Sequence, residues 1–118
     1  DMVRSMAPQP IIFALANPVQ EIAPAEALEA GAAVVATGAS SFPNQVNNIL
    51  AFPGLFKALL STGIRQVDTT LQLAVADGLA SLVASPSPER IIPGVFEPGV
   101  VDAVVRSVED YDRRREAA

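Results

Sequence analysis

The chain has 118 residues, half of them hydrophobic, and contains neither histidine nor cysteine. That length suits one domain, and the missing residues remove disulfides, thiolate nucleophiles and the commonest general base and transition-metal ligand. The net charge of −5 leaves no basic stripe for phosphate backbones, because the clustered arginines Arg113, Arg114 and Arg115 sit among acids, so nucleic acid is not an expected partner.

Charged residues punctuate every segment, and no stretch approaches the roughly 20 apolar residues needed to cross a bilayer. No basic region followed by an apolar run and a small-residue cleavage site is visible in the segment. The expectation is a cytoplasmic protein with no membrane partner.

In chain order, Asp1 to Ala7 reads as the tail of a helix, closed by Pro8 and Pro10, as though the chain begins in the middle of a fold. Ile11 to Ala16 is an apolar run ended by Asn17-Pro18, the pattern of a strand buried on both faces in a parallel sheet. Pro24 at a first turn, Glu26 behind it and Gly31 as a stop predict a helix over 24–30. Ala32 to Gly38 repeats the strand pattern, so strand, helix and strand form a parallel crossover.

From Gln45 to Leu60 apolar residues recur at helical spacing, but Pro53 and Gly54 interrupt them, which predicts a kinked helix or two helices meeting near Phe52. Thr69 with Gln72 fits a capping box before the stripe Leu71, Val75, Leu79 and Leu82. That helix should end before Pro86. Ile91-Ile92 is a candidate edge strand, and Pro98 opens a last helix with Val101, Val104, Val105 and Val108 inward and a frayed end from Asp110 onward. With no internal repeat and no linker, the fold class is α/β: a partial Rossmann-like three-layer unit with a short parallel sheet and flanking helices.

Two asparagine sites stand out, because ligands of open α/β sheets bind beyond the carboxyl ends of the strands. Asn17 offers an uncharged donor and acceptor to a ligand, or alternatively caps a strand-to-loop turn, as Asn before Pro often does. Gly38-Ala39-Ser40-Ser41-Phe42-Pro43-Asn44-Gln45-Val46-Asn47-Asn48 is a Gly/Ser loop entering a stretch dense with carboxamides, which are costly when buried without partners. Here too a plainer reading stands beside the ligand site: Asn44 as an N-cap and the rest as solvated polar face. Glu21, Glu26 and Glu29 read as a solvated face rather than metal ligands, and Phe42, Phe52, Phe56 and Phe96 as core. Tyr111 and Lys57, the single tyrosine and single lysine, read as solvated surface residues.

The run Ile12-Phe13-Ala14-Leu15-Ala16-Asn17-Pro18, then Val35-Ala36-Thr37-Gly38, then Phe42-Pro43-Asn44-Gln45-Val46-Asn47-Asn48-Ile49-Leu50-Ala51-Phe52-Pro53-Gly54 resembles the bacterial malic enzymes in order and spacing. The likeness weakens after Gly63 and resumes through Ala74 to Leu82, Ile91-Ile92-Pro93 and Phe96-Glu97-Pro98. The resemblance implies that residues 1–118 are the C-terminal portion of an NAD(P)-binding domain in an oxidoreductase converting malate to pyruvate and carbon dioxide. NAD or NADP would take the hydride, and a divalent metal, magnesium or manganese, would be bound by residues outside this chain.

Carried over by motif, Asn17 belongs at the nicotinamide and substrate side, Gly38 at the cofactor, and Asn48 at the substrate carboxylate or hydroxyl with Asn47 in support. The family commonly places an arginine and an aspartate in the loop where this chain has Ala39 and Ser41, so contacts made there are expected to differ. The family's tyrosine and lysine acid/base pair, its carboxylate metal ligands and its glycine-rich loop have no counterpart here, so no catalytic residue is assigned and the isolated piece is expected to be inactive. The expected partners are malate or pyruvate, the upstream remainder of the enzyme and a second copy in a homo-oligomer. The alternative function is a non-catalytic binding or oligomerisation module derived from the same fold.

Overall fold

The structure is a computed structural model that describes residues 1–117. It divides into two compact units, residues 1–47 with 85–92, and residues 48–84 with 93–117.

In the first unit β1 (Ile11–Ala14) and β2 (Val34–Thr37) pair in parallel, with Ile11 opposite Val34 and Ala14 opposite Thr37. Between them runs α1 (Pro24–Glu29), where Pro24 occupies a first-turn position that lacks an amide partner in any helix, and Glu26 sits at the positive end of the dipole. Gly31 follows at φ 105°, a left-handed conformation that lets the chain turn directly into β2. The small core is Ala27, Ala32 and Val35, with Val3, Ile12 and Ile22 packed on it.

The parallel crossover is as the sequence predicts, but β1 is not buried on both faces. Ile12 and Ala14 turn inward, whereas Ile11 and Phe13 are 60% and 52% exposed. The apolar cluster engages one side of the strand only. The opening segment is a single 3-10 turn, Val3–Ser5. Ile91-Ile92 adds no strand; instead Ser87 and Arg90 form an isolated antiparallel bridge that folds the 85–92 loop back on itself.

In the second unit a 3-10 turn, Asn48–Leu50, leads into α2 (Phe52–Thr62), followed by α3 (Thr69–Ala80) and α4 (Val100–Glu116). Of the two predicted arrangements the structure takes the second: the 3-10 turn and α2 meet beside Phe52, and Pro53 causes no kink because it lies in the first turn of α2, where its missing amide breaks no bond. Residues 45–47 are not helical. Gly63 at φ 73° ends α2, and its amide closes on the Leu59 carbonyl.

The capping residue of α3 is Asp68, one position before the predicted Thr69: its Oδ1 accepts from the Leu71 amide at 2.8 Å. An aspartate outcompetes a threonine here because it brings a negative charge to the positive end of the helix. Ala58, Ile64, Leu71, Val75, Val104 and Val108 make the core of this unit. On α4 the buried side chains are Val100, Ala103, Val104 and Val108, so Val104 and Val108 face inward as predicted and Val105 packs on the core, whereas Val101 is exposed. The helix does not fray at Asp110; it continues to Glu116, with Arg113 paired to Asp110 and Arg115 to Asp112 across one turn.

The phenylalanines are not core. Phe42, Phe52 and Phe56 are partly exposed, Phe96 is 90% exposed, and the rings of Phe52 and Phe56 stack on each other with centroids 5.6 Å apart. One helical turn separates the two, so they meet on the outer face of α2. Tyr111 is half-buried against the core of the second unit, not a solvated surface residue, while Lys57 is exposed as expected.

Candidate functional site

Because the strands are parallel, their carboxyl ends lie side by side, and the residues that follow them meet. Asn17, three residues beyond the last residue of β1, lays its carboxamide over Gly38, the residue after β2. A Cβ built on Gly38 would come within 3.1 Å of Asn17 Nδ2 and 3.4 Å of Oδ1. Glycine at position 38 is therefore what leaves room for the asparagine. The Asn17-Pro18 peptide is cis, and the Glu21 carboxylate accepts the Ala16 amide at 3.1 and 3.2 Å, tying down the loop that carries Asn17. Glu21 is thus more than part of a solvated face, and it precedes α1 rather than lying on it.

The carboxyl end of β2 is held from its other edge. Thr37 is fully buried, its carbonyl accepts the Val46 amide at 2.7 Å, and its Oγ1 accepts the Ala39 amide at 3.2 Å. Gln45 pairs with Thr37 as a parallel bridge and donates from Nε2 to the Gly38 carbonyl at 3.4 Å. Asn44 is buried in the left-handed conformation at φ 57°, one of the few side chains for which that region is inexpensive. Its Nδ2 donates to the carbonyls of Val35 at 3.1 Å and Pro88 at 2.8 Å, and its Oδ1 accepts the Ile91 amide at 2.8 Å. The N-cap reading of Asn44 is therefore replaced: it cross-links β2 to a loop more than forty residues away.

Of the carboxamides singled out in the sequence, Asn17 and Gly38 are brought together in the first unit. Asn47 is half-buried at the end of that unit, and Asn48 is exposed at the start of the second, where its carbonyl accepts the Ala51 amide at 3.0 Å. The bracing roles of Asn44 and Glu21 are absent from the sequence reading, since the partners of Asn44 are remote in sequence and no motif announces them.

A groove in the second unit contains none of these residues. It holds about 540 Å³ between α3 and α4, lined among others by Asp68, Asp77, Ser107, Tyr111 and Arg114. There Tyr111 Oη donates to Asp68 Oδ2 at 2.7 Å. The Leu71 amide and then the Tyr111 hydroxyl hold the Asp68 carboxyl below its usual range, and the same hydrogen bond raises the Tyr111 phenol above its own.

A family model described as the malic enzyme NAD-binding domain matches residues 1–106. The chain belongs to this family. It is 48% identical over 110 residues to a bifunctional malic/malolactic enzyme of Bacillus subtilis (strain 168), covering 92% of this chain and 27% of that protein. To an NADP-dependent malic enzyme of Rhizobium meliloti (strain 1021) it is 40% identical over 125 aligned positions, covering 92% of this chain and 16% of that one. The crystal structure of a malic enzyme from Pyrococcus horikoshii Ot3 superposes with a TM-score of 0.92 at 42% identity, over 98% of this chain and 27% of that chain. The chain thus spans about a quarter or less of the length of the relatives it matches, and its fold class is α/β, a partial Rossmann-like unit with two parallel strands and flanking helices. None of the described helices is long and apolar enough to cross a membrane.

Proposed function

We propose that this chain is the C-terminal portion of the cofactor-binding domain of an oxidoreductase that converts malate to pyruvate and carbon dioxide while reducing NAD or NADP. The observation that carries the reading is the Asn17 carboxamide lying over Gly38 at the carboxyl ends of two parallel strands, in a chain of this family. When bound, the nicotinamide accepts the hydride released as malate is oxidised.

The donor set suits such a cofactor. An uncharged carboxamide can hydrogen-bond a neutral amide or a hydroxyl without repelling either form of the nicotinamide, and Gly38 keeps the backbone open beside it. Asn17 is then the residue on the nicotinamide and substrate side, with Gly38 at the cofactor. Asn48 binds the substrate carboxylate or hydroxyl, and Asn47 supports it. A metal is a different matter, because among the described residues no three acidic side chains gather as its ligands, so the donors present do not fit one. The proton transfers of the reaction likewise belong to groups outside these residues, and the chain alone is expected to be inactive. A cytoplasmic location and a homo-oligomeric assembly belong to the same proposal and rest on the family resemblance.

The exposed apolar residues Ile11 and Phe13 favour a second reading for the chain on its own, that of a non-catalytic association module. Malate-dependent formation of reduced nicotinamide by the complete polypeptide carrying this sequence separates the two. Turnover that falls about tenfold or more in kcat/KM in Asn48→Ala supports the enzyme and the assignment of Asn48. Absence of turnover in the wild-type polypeptide removes the enzyme reading, and unchanged malate kinetics in Asn48→Ala remove Asn48 from the site.

A further inference from the structure

We infer that Asn44 is the positioning residue of the 38–47 loop, setting the place of Gly38 at its start and Asn47 at its end; this rests on the malate oxidoreductase reading. The loop leaves β2 at Gly38 and contains no helix or strand of its own. Such a segment holds one shape only where side chains or neighbouring backbone satisfy its polar groups. Asn44 does so from the middle of the loop. Its carboxamide spends both amide hydrogens and its oxygen on three backbone groups, two of them in the 85–92 loop and one in β2. It is 7% exposed, so water cannot replace these bonds without opening the loop.

The chemistry of position 44 is narrow. An aspartate keeps the acceptor for the Ile91 amide, but as a carboxylate it has no hydrogen to give the carbonyls of Val35 and Pro88, and would face both at close range. A glycine keeps the left-handed backbone and loses all three bonds. A glutamine adds a methylene to a buried site and places the same carboxamide out of register. The adjacent Gln45 makes the next link, to Thr37 and the Gly38 carbonyl, so slackening at Asn44 is transmitted directly to the strand end beneath Asn17. Asn44 therefore acts through the loop and touches no substrate.

The test uses Asn44→Gly and Asn44→Asp in the complete polypeptide, with malate kinetics and amide hydrogen exchange measured on the same preparations. If Asn44 positions the loop, the Val46 amide loses protection in both variants and the Ile91 amide, whose acceptor Asn44→Asp keeps, loses it in Asn44→Gly, while the helical core around Leu71, Val104 and Val108 keeps its own. The KM for malate then rises about tenfold with kcat changed far less, because a displaced binding group weakens ground state and transition state alike. A merely destabilised protein would instead show a smaller active fraction, with kcat reduced at unchanged KM. Unchanged protection at Val46 in both variants overturns the inference. So does loss of protection with an unchanged KM, which would show that loop order and malate binding are uncoupled. If the wild-type polypeptide turns over no malate, the functional reading fails separately, and the exchange data alone decide whether Asn44 orders the loop.

Discussion

Asp68 serves two helices at once. One carboxylate oxygen accepts the Leu71 amide at the start of α3 and the other accepts the Tyr111 hydroxyl from α4. Both bonds are made to the charged form, which is why its carboxyl is held low. A carboxyl depressed in the folded state adds stability that is fully present above its unfolded pKa and is lost as pH falls through the folded value, so the loss belongs below about pH 3.8. The carboxamide introduced by Asp68→Asn would still cap the helix but would not titrate. Thermal melts should therefore show wild type more stable than Asp68→Asn at neutral pH, with the gap closing below that pH; a gap that stays constant through the acid range would show that the charge is immaterial. Tyr111 works in the opposite direction. Its raised phenol adds stability that is present below pH 10.0 and lost as pH rises through the raised value, a limb that Tyr111→Phe should lack in alkaline melts.

The helices of the second unit approach closely at two glycines that differ in what surrounds them. A Cβ on Gly54 of α2 would lie 2.7 Å from Val104 Cβ and 2.8 Å from the Val101 carbonyl oxygen, both fixed parts of α4. On Gly78 of α3 it would meet chiefly Ser107 Oγ, with Ser107 Cβ at 3.2 Å. Alanine improves helix propensity by roughly 1 kcal/mol at either site. Overpacking costs about 1–3 kcal/mol, and more where the obstacle is backbone. Gly54→Ala should therefore destabilise clearly in urea denaturation, whereas Gly78→Ala combined with Ser107→Ala should recover most of what Gly78→Ala alone loses. If Gly54→Ala proves neutral, α2 and α4 are free to move apart. At this scale the sequence is readable where a signal is local: Pro24 and Gly31 delimit α1 closely, and Pro98, expected to open α4, falls two residues before its start. It leaves two arrangements open where a residue has two local meanings, as with Pro53, which either kinks a helix or opens one and in the structure opens one. The same holds for the site. Asn17 and Gly38 are legible because each ends an apolar run, but the brace at Asn44 depends on Pro88 and Ile91, and no spacing rule joins residues so far apart.

Each of the two units closes its own core, and each also leaves apolar side chains in water: Ile11 and Phe13 along β1 in one, Phe52, Phe56 and Leu60 along α2 in the other. The last three recur every four residues, so they form one continuous ridge along a helix face rather than scattered exceptions. The proposed enzyme is about four times the length of this chain or more, on the scale of the relatives it matches, and its remaining residues are what should cover such surfaces. That expectation has opposite consequences in two settings. In the 118-residue chain alone, Phe56→Ser with Leu60→Gln removes exposed apolar area, and should reduce self-association in sedimentation with little change in stability. In the complete polypeptide the same pair would place polar groups into a covered apolar contact, and should lower the melting temperature or weaken assembly, since an unpartnered buried polar group costs about 1–3 kcal/mol. Equal tolerance in both settings would show that the α2 ridge faces solvent in the whole enzyme, leaving the β1 face as the surface on which the remainder of the domain must build.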